Sequence, residues 1–240
     1  MDPIPADAIL FDLDGTLVDS FGVSTRWWQD WAPGVGLTWD AIAAQVRGRH
    51  AITAIRELLP DRPPELNEAD AVNLGDWEEG NVHLMRATSG AAQLIDLLKP
   101  DRWAVVTTSS RDQAHARLRA AGLPIPSVLI TSDDVRDLKP DPEGYLLACT
   151  ALGVRPANCV VVEDSVTGVL AGRAAGATVL AIGAAAIDGT IRIEGLSDLQ
   201  LAEGRMIRLR AEEARNVRDA EIDAQVDRGR GPSRPVRGRG

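Results

Sequence analysis

Cysteine is scarce in this sequence, and a long apolar run is missing. Only two of the 240 residues are cysteines, Cys149 and Cys159, and neither lies in a CxxC pattern or a Cys/His cluster. A disulfide framework or a zinc site is therefore not expected, and we expect two buried thiols instead. No segment approaches the roughly 18 apolar residues of a membrane span, and the N-terminus has no basic region before an apolar stretch. We expect a cytoplasmic protein without a membrane span.

Basic residues are also fewer than acidic ones. The chain has 26 lysines and arginines against 35 aspartates and glutamates, which gives a formal net charge of −9. This balance argues against a general nucleic-acid binder, and we expect no nucleic-acid partner. Any anionic substrate must then be held by local charges and a metal, because the field of the whole chain repels it. The sequence carries no readable signal for the oligomeric state.

Short apolar runs alternate with helical patterns through most of the chain. Strands are predicted near residues 9–11, 103–107, 127–131, 159–164 and 177–183, with helical segments between the later ones. This alternation is typical of βαβ units and predicts an α/β fold with a Rossmann-like parallel sheet and helices on both faces. In such sheets, ligands bind at the carboxyl ends of the strands, near a topological switch point.

One segment near the N-terminus has a different composition and residue spacing. Residues 21–86 hold five tryptophans and helix-like spacing but no convincing strand, which indicates a small helical domain inserted after the first strand. We therefore predict a core domain of residues 1–17 plus 88–210 and an inserted domain of residues 18–87. Residues 211–240 form a polar tail whose Gly-, Pro- and Arg-rich end cannot bury a core, and we expect it to be disordered.

Polar or charged side chains follow four of the predicted strands. They are Asp12 and Asp14 after the first strand, Thr107 and Thr108 after the second, Lys139 after the third, and Glu163 and Asp164 after the fourth. A parallel sheet gathers these junctions at one edge. A single carboxylate at a strand end is often only a helix cap, but four coincident junctions are hard to explain in that way.

A cluster of four carboxylates at one edge needs cations. Like charges at close range disfavour joint ionisation, and a divalent metal together with Lys139 would relieve that repulsion. All-oxygen ligation with few protein ligands suits Mg²⁺, which keeps several waters and shares a substrate phosphate. The sequence therefore predicts Mg²⁺ as the cofactor.

The same residue types suit phosphoryl transfer to and from a carboxylate. The reaction needs a nucleophile in line and cations and donors around the phosphate, and an aspartate can be the covalent nucleophile. A second carboxylate two residues on lies on the same side of an extended segment, where it can protonate the leaving oxygen and later activate water. Gly15 then permits a tight turn that brings backbone N–H groups to the phosphate.

Four segments at these junctions resemble the ordered motifs of the haloacid dehalogenase superfamily: FDLDGTLVDS, VVTTSS, KPDPEGY and VVVEDSVTGVLAG. The resemblance covers roughly residues 7–200. It implies that Asp12 is the nucleophile and Asp14 the general acid and base. It implies further that Thr108 donates its hydroxyl to the transferring phosphoryl group. The register of the motif favours Thr108 over Thr107 for this role.

The resemblance also implies a ligand set. Lys139 would neutralise the nucleophile and the phosphate. Mg²⁺ would be bound by Asp12, the backbone carbonyl of Asp14 and Asp164, and Glu163 would support or join that shell. For substrate binding, it points to Gly15 and Ser109.

The inserted segment matches the position and helical character of the family's small α-helical cap, a lid that excludes water from the site. Within it, RGRHAITAIREL resembles the cap segment of sugar-phosphate and glycerol-phosphate phosphatases, and RWAVVTTSSRDQAHARLRAAGLP is similar to the same subgroup. The resemblance thus implies a phosphatase for a small phosphorylated metabolite, a sugar or polyol phosphate. Arg49 and His50 are the candidates for contacts from the cap to the substrate.

Two alternatives remain open at this point. A phosphomutase similar to beta-phosphoglucomutase would use the same aspartates, but Thr16 stands where those mutases carry valine or a similar residue, and FGVSTRWW lacks their early cap histidine. A non-catalytic binding or regulatory protein can also use this fold, but it would be expected to have lost a key residue, and none is lost.

Overall fold

The structure, a computed structural model, describes residues 3–47, 49, 51–202, 206–209 and 215–216. These residues form twelve strands and eight α-helices. The strands are β1 (Ile4–Pro5), β2 (Ala8–Phe11), β3 (Val18–Asp19), β4 (Arg86–Ala87), β5 (Trp103–Val106), β6 (Leu129–Ile130), β7 (Cys159–Glu163), β8 (Thr178–Ile182), β9 (Ile191–Ile193), β10 (Leu199–Ala202), β11 (Met206–Leu209) and β12 (Arg215–Asn216). The helices are α1 (Phe21–Trp31), α2 (Trp39–Val46), α3 (Ala51–Leu58), α4 (Pro64–Gly80), α5 (Ala91–Leu97), α6 (Arg111–Ala120), α7 (Glu143–Leu152) and α8 (Val166–Ala174).

The largest sheet has the strand order β12-β9-β8-β7-β2-β5-β6. The six strands from β9 to β6 are parallel, and β12 joins the edge in the antiparallel direction. The predicted α/β class with a parallel sheet is therefore confirmed. From β2 the chain moves outward through β5 and β6 and then returns to the other side of β2 as β7. The strand order thus reverses at β2, where parallel sheets of this kind bind their ligands.

Both faces of this sheet are covered by helices. Alternate strand residues point to opposite sides, and because these residues are apolar, each face is buried under a pair of helices. Ile9 and Phe11 of β2 pack with α5 and α6 on one face, and Leu10 packs with α7 and α8 on the other. All three side chains are buried. The central strand is consequently fixed from both sides, and so is the position of the residue that follows it.

The chain leaves and re-enters this core through a two-stranded ribbon, in which β3 pairs antiparallel with β4. Between these strands lie α1 to α4, called here the inserted helices, and they pack around a hydrophobic cluster of their own. Trp27 stacks on Trp31 at a centroid distance of 5.6 Å, and their indole N–H groups donate to Asn73 and Asp70 of α4. The domain boundaries given above stay a prediction. Of the predicted tail, residues 211–240, only β12 is described. The other residues of the tail lie outside the described part of the chain.

Two expectations drawn from composition can be compared with the structure. Cys149 and Cys159 are free, buried thiols with their sulfur atoms 3.6 Å apart, as expected. Within the described ranges, no helix combines the length and the apolar character needed to cross a bilayer. The cytoplasmic location stays a prediction.

Candidate active site

Asp12 lies at the centre of the site because it follows β2 directly. Its backbone N–H donates to the carbonyl of Val162 at 3.0 Å, so the hydrogen bonding between β2 and β7 extends to this residue. The residue is 8% exposed. Its Oδ1 accepts a hydrogen bond from Lys139 Nζ at 2.6 Å. A nearly buried carboxylate is thus held at the switch point of the sheet.

Lys139 connects three strand ends. Its ammonium donates to Asp12 Oδ1 and Glu163 Oε1, both at 2.6 Å, and to the carbonyl of Val106 at 2.9 Å. These bonds use all three of its donors. Burial opposes the charge, but Asp12 and Glu163 outweigh it and hold the pKa of Lys139 well above its usual value. Lys139 is therefore a permanent cation within the cluster.

Glu163 is completely buried at the end of β7, and both of its carboxylate oxygens are engaged. Oε1 accepts from Lys139 and, at 2.8 Å, from the hydroxyl of Tyr145. Oε2 accepts from the backbone N–H and the hydroxyl of Ser165 at 3.2 and 2.9 Å. Tyr145 is a site residue that the sequence analysis did not name. The available signal was that the only tyrosine of the chain stands inside the KPDPEGY motif.

Asp12, Glu163 and Asp164 each offer one carboxylate oxygen to a cluster whose members all lie within 4.8 Å of one another. Burial, with the charges of Glu163 and Asp14, raises the pKa of Asp12 to about 7 even though Lys139 opposes this. Burial and the neighbouring carboxylates also raise the pKa of Asp164 well above its usual value. When all three carboxylates are ionised, they carry more negative charge than Lys139 compensates. A hard divalent cation fits this all-oxygen donor set.

Two glycines make room for these carboxylates. Gly15 has φ +85°, and a Cβ atom at this position would overlap the carboxylate of Asp164. A Cβ at Gly168, in the first turn of α8, would overlap the carboxylate of Glu163. Gly15 therefore permits the close approach of its turn to Asp164. Its predicted contact with the substrate stays a prediction.

The side chain of Asp14 contacts α6 and the segment that leads into it. Its Oδ2 accepts from the hydroxyl of Ser109 at 3.0 Å and pairs with Arg117 Nη1 at 2.5 Å. The other guanidinium nitrogen, Nη2, donates to Glu78 of α4 at 2.9 Å. Burial raises the pKa of Glu78 to about 7, with Arg117 opposing and Asp14 adding to the rise. Neither Arg117 nor Glu78 was named from the sequence.

The three polar residues after β5, Thr107 to Ser109, have different surroundings. Thr107 is buried, and its hydroxyl accepts the backbone N–H of Ser109 at 3.1 Å. Thr108 is half-buried and lines the same pocket as Lys139. The hydroxyl of Ser109 is directed to Asp14 and Arg117. That pocket is not lined by Asp12, so the role of Thr108 as the phosphoryl contact and the role of Ser109 in substrate binding both stay predictions.

Of the two candidates from the inserted segment, only Arg49 is described, and it is not brought to this cluster. Arg49 is exposed and pairs with Glu57 of α3, and among the described residues no hydrogen bond joins it to the site around Asp12. His50 lies outside the described residues. Substrate contact by either residue therefore stays a prediction.

Comparisons with known proteins agree with the geometry. Residues 6–176 match the haloacid dehalogenase-like hydrolase family. Hexitol phosphatase A of Escherichia coli strain K12 is 41% identical over 179 residues, which are 74% of this chain and 83% of that protein. Validoxylamine A 7'-phosphate phosphatase of Streptomyces hygroscopicus subsp. limoneus is 35% identical over 70% of this chain and 81% of its own length.

A solved structure shares the architecture. The HAD family hydrolase of Deinococcus radiodurans R1, determined with bound phosphate and sodium, aligns with a TM-score of 0.60 and 33% identity. The alignment covers 74% of this chain and 81% of that one. Sequence and fold thus lead to the same group of proteins.

Proposed function

Because the chain belongs to the haloacid dehalogenase-like hydrolase family, we propose that it is a Mg²⁺-dependent phosphatase working through an aspartyl-phosphate on Asp12. The two relatives described above are named phosphatases, and the chain is a phosphoric monoester hydrolase of the sugar-phosphate type. The observation that supports the mechanism best is the buried cluster of Asp12, Lys139, Glu163 and Asp164 with Asp14 beside it. The favoured substrate is a polyol or sugar phosphate, by similarity to the hexitol phosphatase.

The first step of this mechanism transfers the phosphoryl group to the protein. The carboxylate of Asp12 attacks phosphorus, and the bond between phosphorus and the sugar oxygen breaks. The sugar oxygen takes the proton that Asp14 carries, so the leaving group departs as a neutral alcohol. Lys139 and the hydroxyl of Thr108 stabilise the charge on the phosphoryl oxygens.

The second step returns the site to its starting state. Asp14, now a carboxylate, accepts a proton from a water molecule whose oxygen attacks the phosphorus of the aspartyl-phosphate. The bond between phosphorus and Asp12 breaks, and inorganic phosphate leaves. Asp14 holds the proton for the next turnover, and Asp12 is again ionised beside Lys139.

The metal would be held by a subset of the predicted ligands. The side chains of Asp12 and Asp164 and the backbone carbonyl of Asp14 are the proposed ligands. Both oxygens of Glu163 already accept two hydrogen bonds each, so we assign it to support of the site by orienting Lys139. When bound, Mg²⁺ supplies positive charge to the nucleophile and to the phosphoryl oxygens.

Thermal unfolding should show a Mg²⁺ effect that grows with pH. The folded-state pKa of Asp12 is about 7, above the 3.8 of an exposed aspartate. The stability from its protonated form is fully present below about pH 4 and is lost as pH rises through about 7. Without metal, the Tm should therefore fall between pH 5.5 and 8. Saturating Mg²⁺ binds the ionised carboxylates and should raise the Tm by about 5–10 °C at pH 8 and by less at pH 5.5.

Two variants make this measurement specific. Asp164→Asn should lose most of the Mg²⁺-induced rise in Tm, because a ligand is removed. Asp101→Asn carries the same substitution at an exposed carboxylate and should keep the rise. An equal rise at both pH values, or an undiminished rise in Asp164→Asn, would contradict the proposed metal site.

The function itself is tested by phosphate release from a panel of phosphorylated metabolites, with Mg²⁺ and with a chelator. The panel contains hexitol, hexose and deoxyhexose phosphates, glycerol phosphate, phosphoglycolate, nucleotides and beta-glucose 1-phosphate. We expect Mg²⁺-dependent release that is greatest with a polyol or sugar phosphate. No release from any compound, with glucose 6-phosphate formed from beta-glucose 1-phosphate, would identify a mutase instead. Inactivity in both assays would refute catalysis of either kind on these substrates.

A further inference from the structure

Arg117 lies in the last turn of α6, yet its side chain is only 9% exposed. Its guanidinium bridges two elements of the fold. Nη1 contacts Asp14 Oδ2 at 2.5 Å and Ser109 Oγ at 3.0 Å, and Nη2 contacts Glu78 Oε2 at 2.9 Å. One end of the bridge is therefore the proposed acid and base of the reaction, and the other end belongs to the inserted helices.

The bridge sets one guanidinium charge against two carboxyl groups. Burial opposes the charge of Arg117, but Asp14 and Glu78 outweigh it and raise the pKa of Arg117 above its usual value. Removal of the arginine would leave two carboxylates facing each other in a nearly buried space. Arg117 is therefore required to keep Asp14 in its present position.

The two oxygens of Asp14 have different surroundings. Oδ2 is fixed by the Ser109 hydroxyl and by Arg117. Oδ1 is buried, and within the described part of the chain no hydrogen-bond partner reaches it. A buried carboxylate oxygen without a partner is unusual and calls for an explanation. Oδ1 is thus the oxygen that remains available to carry the transferred proton.

We propose that Arg117 is a positioning residue for the acid step, which fixes Asp14 through Oδ2 and so directs Oδ1 to the leaving oxygen, with Glu78 holding Arg117 in place. By this bridge the inserted helices contribute to proton transfer, in addition to any contact with the substrate. The inference rests on the proposed function, because it assigns the proton to Asp14.

A guanidinium suits this role better than an ammonium. Its planar fork presents two nitrogens in fixed directions, so that Asp14 and Glu78 are held at a constant separation. A lysine would supply one flexible charge and would bond to one carboxylate at a time. Arg117→Lys therefore keeps the charge balance and removes the geometry, which makes it the informative companion to Arg117→Met.

The test compares leaving groups that differ in their need for a proton. An alkyl phosphate, such as the best sugar or polyol phosphate of the panel, releases a strongly basic oxygen and depends on the acid. p-Nitrophenyl phosphate releases a stable phenolate and depends on it little. Arg117→Met should lower kcat for the alkyl phosphate by about 100-fold and kcat for p-nitrophenyl phosphate by less than about 5-fold. KM for the alkyl phosphate should change little, and Arg117→Lys should show the same selectivity with a smaller loss.

Glu78 is tested with its neighbour as the control. Glu78→Gln should lower kcat for the alkyl phosphate by roughly 3- to 10-fold, and it should add no further loss to Arg117→Met, because both act through one bridge. Glu79→Gln carries the same substitution on the same helix, where the exposed Glu79 contacts Gln113 of α6 and does not reach Asp14. It should leave both rates unchanged.

The possible failures are distinguishable. Equal losses on the alkyl and aryl phosphates, or no loss in either Arg117 variant, would overturn the inference and leave the proposed function intact. Additive losses for Glu78→Gln and Arg117→Met would overturn the part assigned to Glu78. A wild-type protein inactive on both substrates would overturn the proposed function and this inference together, before any variant is compared.

Discussion

Replacing Asp12 with asparagine is expected to lower kcat by roughly 10⁴-fold or more, for alkyl and aryl phosphates alike. An amide oxygen is a poor nucleophile, and the substitution also removes a proposed metal ligand and the charge partner of Lys139. The loss should not come from unfolding. Because the pKa of Asp12 is raised to about 7, its carboxylate is ionised at pH 8, and this ionised form destabilises the metal-free fold. A neutral amide should therefore leave the metal-free Tm at pH 8 unchanged or higher.

The measurement is phosphate release at saturating substrate, with Tm determined on the same samples. Asp101→Asn is the matched control and should retain full activity, since Asp101 is an exposed residue before β5. Appreciable activity of Asp12→Asn would contradict the covalent mechanism. A collapse of its Tm would mean that the residue is structural rather than chemical.

Gly168→Ala is expected to have the second largest effect, on stability as well as on activity. The new methyl group would overlap the carboxylate of Glu163, which is completely buried and bound by Lys139, Tyr145 and Ser165. The carboxylate cannot move without breaking these bonds and leaving a buried charge without its partners. We expect the free energy of unfolding to fall by about 3–5 kcal/mol and kcat to fall at least about 100-fold.

Gly75→Ala provides the comparison for this variant. Gly75 is also a helical glycine, in α4, but a Cβ atom there has no neighbour within 4 Å. Alanine should stabilise this helix by about 0.5–1 kcal/mol, because glycine is a poor helix former. Denaturant unfolding and phosphate release, measured on both variants, test the contrast. A Gly168→Ala variant as stable and active as the wild type would show that the close packing of α8 against Glu163 is not needed for stability or activity.

The sequence was sufficient to predict five of the seven strands of the large sheet, and it did not predict β9 or β12. Apolar runs interrupted by polar junctions identify parallel strands, and Asp12, Lys139 and Asp164 come together because parallel strands share one carboxyl edge. The third predicted strand, residues 127–131, proved shorter, since only Leu129–Ile130 pairs with β5.

Arg117 and Glu78 were missed for a physical reason. Each is a charged residue in the last turn of a helix, where a charge is normally solvated. Their burial accompanies the ion pair that joins α4 to α6, and this long-range contact has no local signature in the sequence. Long-range packing, rather than chain pattern, therefore determines which of the many charged helix residues belongs to the site.

The distribution of tryptophan has a consequence for spectroscopy. Five of the six tryptophans belong to the inserted helices: Trp27, Trp28, Trp31, Trp39 and Trp77. The sixth, Trp103, starts β5 and packs edge-on against Phe11 with ring centroids 6.3 Å apart. The ultraviolet emission of this protein is accordingly mainly a signal from the inserted helices, whereas far-ultraviolet circular dichroism reports the helices of both parts. A change confined to the inserted helices can therefore be followed by emission without any added label.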